Sequence, residues 1–496
     1  MSRRLLILVA AVGILLGACG SEAPIELAEP STNPPTTAVA SEAPSSTEEL
    51  HTGTSFSTEI LPTLENVCTQ CHSPGGPGST HWELQTAADA VDEIDIIAGV
   101  ISTGFMPPWP ASELSVPFFN DLSLSDEQIA AISAWADEGA PLDVDATRPI
   151  RTLNPPQFID EPDLILTSAQ GGYTGSTDVL DDYRCLVYDP EFSETEWILA
   201  SHFEPDQVEV VHHAIVTLHS GDVRQRAEQL DAADPGPGWT CYVTSLLEGV
   251  DGGGVPLNGW APGQPPRRLP EGYGIPVEPG DFLVVQIHYH FDESAPTDLS
   301  RMTFDLASDD ELATAGGELQ RLTGDLYLGP AEIPCYEGDT DPLCERSAAL
   351  DRVEELYGGL ARRIPDLMLW QCDARVEDFA AMTNGTAWST CEHEVSNPGR
   401  IVSVTAHMHE LGLRYRMTKN PGRPDEVVLL DIPDWDFDWQ FLYQPVDEIM
   451  LDDDDTVLVE CGWNRERAPF DAVGYILWAE GTVDEMCYSS IVTAPE

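Results

Sequence analysis

The sequence predicts a multidomain chain: a small all-α domain followed by two mainly-β domains built as antiparallel sandwiches. Three observations predict it. The 496 residues suffice for about three domains, each with a core of its own. Helix signals gather before residue 150, where Ser125 and Gln128 form a capping box and Ile129, Ile132, Trp135 and Ala136 share one face. From Ile150 onward short alternating runs dominate, separated by turns such as Pro235-Gly236, Pro262-Gly263, Pro279-Gly280 and Pro398-Gly399.

Taken in order, residues 1–18 read as an export signal. Arg3 and Arg4 precede the apolar run Leu5–Leu16, which is too short to span a bilayer. Leu16-Gly17-Ala18-Cys19 has the form of a bacterial lipobox, with lipid expected on Cys19. Residues 19–53, rich in Ser, Thr, Pro, Ala and Glu, read as a disordered tether. The chain is then expected outside the cytoplasm, lipid-anchored to a bacterial membrane, in the periplasm or at the cell surface. Lipid is its only expected link to the membrane. The net charge of −63 excludes nucleic acid and anionic lipid as electrostatic partners.

Residues 54–145 form the first folded domain. A helix over roughly Ser57–Val67 leads into Cys68-Thr69-Gln70-Cys71-His72, the attachment pattern of a c-type haem. Both thiols would form thioethers and His72 would ligate the iron. An isolated pattern of this kind also suits half a zinc site or a thiol redox pair, but the flanking helices and a downstream methionine favour haem. That methionine, Met106, is held in an extended loop by Pro107 and Pro108, and Met/His ligation raises a haem's reduction potential. His81 is the competing distal ligand. The order helix, haem motif, methionine loop, helix resembles a small class I cytochrome c.

Residues 150–310 and 311–496 form the two β domains. Helical patterns interrupt them at Val223–Ala233 and Arg346–Arg363, the second inside an insertion at about 335–391 that cysteines bound. Three stretches carry chemistry. His212-His213 are adjacent, and neighbours on a regular strand face opposite ways, so joint ligation needs a bulge or a strand end. In the run to Phe291, Val285, Ile287 and Tyr289 face the core while Gln286, His288 and His290 face away. His290 reads as a satisfied structural histidine. In Val404-Thr405-Ala406-His407-Met408-His409 both imidazoles leave the face opposite Val402, Val404, Ala406 and Met408. Such a pair is half of a metal site suited to copper, zinc, iron or nickel. Eight cysteines remain after Cys19, Cys68 and Cys71, an even number that suggests four disulfides in an oxidising compartment, with the pairing open.

In order, these stretches and Asp484-Glu485-Met486-Cys487 resemble the copper type II, ascorbate-dependent monooxygenases, the group of peptidylglycine hydroxylating and dopamine β-monooxygenases. Cytochrome-fused bacterial members are also similar around Gly259–Gly263. The resemblance implies two jelly-roll sandwiches facing across an open cleft, with one copper ion each. It makes His212, His213 and His288 the ligands of an electron-supplying copper. His407, His409 and Met486 become the catalytic ligands of the copper that meets O₂, and Cys461–Cys487 becomes a disulfide that pins the Met486 strand. The implied activity is hydroxylation of a C–H bond of a small-molecule substrate. Two copper ions and one covalently attached haem c are the expected cofactors, and an external electron donor is an expected partner. The chain departs from peptidylglycine enzymes at Thr405, where they carry a carboxylate-binding arginine, and at Tyr488 and Ser490, so a peptide C-terminus is a poor substrate. The rival reading is a non-catalytic copper and haem lipoprotein for electron transfer or redox sensing.

Overall fold

The structure, a computed structural model, describes residues 53–496 except 75, 77, 80–81, 155–157, 180, 242–244, 246, 248–253, 261–263, 292–293, 438, 469–472, 480, 482 and 496. The export signal, Cys19, the tether, His81 and residues 261–263 lie outside the described residues. Two compact units account for the rest. One comprises residues up to 107 and 122–156; the other comprises 108–121 and 157–496.

The first unit is helical, with no strand among its described residues. Phe56–Ile60 continues into the helix Leu61–Asn66 and then the short turn Cys68–Gln70. Helices Ala87–Asp92, Ile94–Ser102 and Asp126–Asp137 complete it. Phe56, Ile60, Leu64, Ile97, Ile101, Ile132 and Trp135 form one core. The capping box occurs as read from sequence. Ser125 Oγ accepts from the Gln128 amide at 3.3 Å, and Gln128 Oε1 accepts from the Ser125 amide at 2.8 Å.

The second unit is mainly antiparallel β-sheet. One sheet has the order Trp239–Thr240, Asp181–Tyr188, Phe282–His290, Val211–His219, Val255–Trp260. It shares a core with a sheet built on Leu164–Thr167, Arg301–Leu306 and Glu196–Glu204, through Leu186, Val216, Val285, Ile287, Phe203 and Met302. A second pair of sheets follows. One joins Thr323–Leu326, Tyr488–Ala494, Gly399–His407 and Leu442–Tyr443. The other joins Thr386–Glu394, Thr456–Asn464, Gly412–Lys419 and Val427–Ile432. Val404, Ala406, Met408, Tyr415, Val459 and Trp463 lie between them.

Residues 108–121 sit inside the stretch read as the first domain, yet they pack with this second pair of sheets. The Ser112 amide donates to Asp431 O at 2.8 Å, Val116 to Val428 O at 3.1 Å and Phe119 to Gln444 O at 2.9 Å. The Trp109 and Phe118 rings pack on Tyr443 at 5.5 and 5.0 Å. These apolar side chains find a core there, which accounts for the segment's allegiance.

The helical pattern Arg346–Arg363 breaks earlier than its periodicity suggests. The helix ends at Tyr357 because Gly358 takes φ +90, and helices Ile364–Gln371 and Val376–Ala380 follow. Two disulfides fasten this insertion, Cys335–Cys344 and Cys372–Cys391, and the others are Cys185–Cys241 and Cys461–Cys487. Four disulfides point to an oxidising compartment. No helix among the described residues is long and apolar enough to cross a membrane.

Candidate metal centres and the CxxCH motif

The adjacent histidines are reconciled by a bulge. Val211 pairs with Tyr289 and His213 with His288, so His212 is the extra residue at the start of its strand. The Nδ1 atoms of His212 and His213 stand 3.1 Å apart, and those of His213 and His288 3.4 Å apart. One ligand atom from each residue lies within 4.8 Å of the others.

His288 is fixed from behind. Its ring stacks on Tyr183 at 4.3 Å, and its Nε2–H donates to Asp181 Oδ1 at 2.9 Å. In that tautomer a neutral His288 presents a bare Nδ1 to the cluster. Burial takes His288 down to about 4 against the pull of Asp181, and burial followed by His288 and His212 holds His213 well below 6.5. Neutral imidazoles are the form that binds a metal ion, and these three are placed to hold one. Asp181 also accepts from His290 Nδ1 at 3.0 Å, so His290 is satisfied outside the cluster.

The second set gathers on the other pair of sheets. His407 ends its strand opposite Tyr488. Its Nδ1–H donates to Gln440 Oε1, and His409 Nδ1–H donates to Asp484 O at 3.1 Å. Both neutral rings therefore carry their lone pairs on Nε2, whereas the first set converges through Nδ1. The rings stand 5.0 Å apart at 79°. Burial takes His407 to about 4 and holds His409 well below 6.5.

Glu485 joins the backbones of His409 and Met486. Its Oε2 accepts from the His409 amide at 2.9 Å, the Met486 amide at 3.1 Å and Trp463 Nε1 at 3.0 Å, while Oε1 accepts from the Leu411 amide at 2.7 Å. Met486 is 6% exposed, and its neighbour Cys487 is tied to Cys461. On the face expected to leave the core, Thr405 and His409 are 6% and 3% exposed and His407 is half-buried.

One aromatic ring reaches both sets across the space where the resemblance implied an open cleft. The Phe437 ring stacks on His212 at 5.1 Å and 21° and meets His409 at 6.1 Å and 90°. A loop that buries Trp435 delivers it there. The Thr405 and Ser490 hydroxyls, at two positions where the chain departs from peptidylglycine enzymes, lie 2.8 Å apart and bond to each other.

In the helical unit, Cys68 and Cys71 are the free cysteines among the described residues. Burial, then Cys71, pushes the Cys68 thiol up to about 12. His72 stacks on Trp82 at 3.9 Å and its Nδ1 lies 3.2 Å from Trp82 O, a tautomer with the lone pair on Nε2. A Cβ at Gly78 would come within 2.9 Å of the His72 ring, so the backbone there closes on the imidazole. Met106 is half-buried, its amide bonded to Val100 O at 3.2 Å.

The other described histidines have partners of their own, and His219 Nε2 lies 2.9 Å from Thr217 Oγ1. His202 Nε2 lies 3.3 Å from Gln264 O and His393 Nε2 2.9 Å from Leu328 O. A grouping of Cys335, Asp339 and Cys344 is no metal site, because its two sulfurs form a disulfide. Asp181, Gln440, Glu485 and Phe437 received no role from sequence. Glu485 stood inside a quoted motif; the other three carry no local signal.

No family model matches the chain, and no curated protein does. Among solved structures, an allantoicase aligns at 9% identity and TM-score 0.14, over 62% of this chain and 81% of that one. The VP2 subviral particle of infectious bursal disease virus aligns at 10% and 0.15, over 68% and 75%. An 11S allergen from Cocos nucifera aligns at 12% and 0.12, over 68% and 89%. At these scores none carries an argument about fold or function.

Proposed function

We propose that the chain is a copper-dependent monooxygenase that hydroxylates a C–H bond of a small substrate with O₂. It draws its electrons through a c-type haem on its own helical unit. One observation carries the reading: three imidazoles gather on one pair of sheets, and on the other two imidazoles gather where a single carboxylate, Glu485, holds the backbones of His409 and Met486. In fold, the proposal makes each pair of sheets a jelly roll and the helical unit a cytochrome c. In the cell, it makes the protein a lipoprotein anchored through Cys19.

His212, His213 and His288 would hold one copper and His407, His409 and Met486 the other, while Cys68, Cys71 and His72 would hold the haem, with Met106 as second axial ligand. When bound, these groups supply one-electron redox chemistry and activation of O₂. Asp181 fixes the tautomer of His288, and Gln440 fixes that of His407. Glu485 ties the His409 and Met486 backbones to one carboxylate, which would hold the soft sulfur donor and its imidazole in one frame. The Thr405–Ser490 pair offers no cation to a substrate carboxylate, which supports a substrate without one.

The test is anaerobic reduction of copper-loaded protein, then O₂ with a panel of small C–H substrates. Stoichiometric hydroxylated product is expected. Reoxidation without product from any substrate, or native protein holding zinc or a single copper, would sink the reading.

A further inference from the structure

We propose that Phe437 is the gate and specificity residue of the His407/His409 site. Its phenyl ring holds the place of an apolar, ring-sized group of the substrate, which enters by displacing it. The inference rests on the proposed function, in that it takes the His407/His409 side as the place of C–H chemistry.

The ring lies face-on to His212 of one pair of sheets and edge-on to His409 of the other. A group that reaches His409 from the His212 side meets Phe437 first. The space it occupies is therefore a slot for a flat apolar body between two imidazoles, a geometry aromatic rings favour. The turn that presents it is built for the purpose. The Trp439 amide donates to Asp436 O at 3.3 Å, and the Trp435 amide anchors the loop on Leu413 O at 3.0 Å. Gln440 then spans the gate and the ligand. Its Nε2 donates to Phe437 O at 2.7 Å while its Oε1 accepts from His407 Nδ1. The backbone that carries the ring and the amide that orients His407 are thus directly joined. Thr405 and Ser490, in the strands beside His407, satisfy each other, and neither brings a charge. The slot accordingly selects an uncharged substrate.

The experiment uses full-length, metal-free protein, so it does not depend on which metal binds. Diethylpyrocarbonate acylation is mapped by mass spectrometry, with half-exposed His290 as the reactive reference and buried His219 as the protected one. In Phe437→Ala, acylation of His407 and His409 should rise about tenfold, as expected when a local barrier to opening is removed. Toluene should restore slow acylation by filling the vacated space, as apolar ligands fill engineered apolar cavities, and benzoate at equal concentration should not. Phe437→Leu, a milder change, should give an intermediate rise. No rise in either variant, an equal rise at His219, or protection by benzoate equal to that by toluene overturns the gate. Failure of the proposed function would show instead in copper content and product.

Discussion

Asp181 Oδ1 stands 2.9 Å from His288 Nε2, so a carboxylate outside the histidine cluster decides which imidazole nitrogen faces inward. Such outer partners raise ligand basicity and hold ring orientation. Asp181→Ala should weaken copper at the His212/His213/His288 site about 10- to 100-fold and leave the other site filled. Copper titration followed by elemental analysis checks this; equal loss at both sites would contradict it.

At the second centre, His407→Ala should abolish O₂ chemistry and leave one copper per chain. Met486→His should keep copper but shift it toward Cu(II), because a third imidazole removes the soft donor. X-ray absorption on the half-reduced protein reads the shift, and an unchanged Cu(I) preference would count against Met486 as a ligand.

Glu485→Gln should disturb the same centre without touching a ligand. The carboxylate takes four donors, and an amide can accept from them only with its oxygen, so an N–H is left facing an N–H. A loss of about 1–3 kcal/mol in unfolding free energy is expected. Loss of copper from the His407 side should accompany it. Denaturant unfolding with copper analysis decides, and an unfolding midpoint equal to that of the unaltered protein would refute the clamp.

In the helical unit, Glu65 is clasped by Arg151 through two bonds of 3.1 and 3.2 Å, and the Arg151 hydrogen bond is the chief cause that holds its carboxyl below 4.5. An acid depressed in the folded state contributes stability above its unfolded value and loses it as pH falls through the folded one. Glu65→Gln should therefore cost most at neutral pH, about 1 kcal/mol given the exposed guanidinium, and little in stronger acid. Thermal melts across that range test the sign.

Covalent attachment gives a direct check of the haem. Unaltered protein should keep haem through denaturing electrophoresis, and Cys68→Ser with Cys71→Ser should lose it. Haem that survives the double change on the gel would remove the thioether assignment.

The sequence made the ligand strands legible because their alternation is local. The core faces of Val285–Phe291 and Val404–Met408 follow from period two alone, and so does the need for a bulge at His212. What supports the ligands was not legible. Asp181 lies 107 residues from His288, Gln440 33 from His407 and Glu485 76 from His409. Those contacts exist only once strands far apart in the chain have paired. The same holds for Phe437, which a loop carries to a histidine of the other pair of sheets, and for disulfide pairing in the helical insertion.

The path of residues 108–121 has a consequence for how this chain can be cut. The backbone leaves the helical unit after residue 107, returns at 122 and leaves again after 156. The haem-motif unit is therefore no cassette that a single gene boundary can add or remove. A fragment that starts at residue 157 would lack the Ser112 hydroxyl, which donates to Asp431 Oδ2 at 2.6 Å, and would uncover a carboxylate that is 1% exposed in the whole chain. Any shortened form meant to isolate the β unit has to carry residues 108–121 with it, supplied in trans or spliced onto its start.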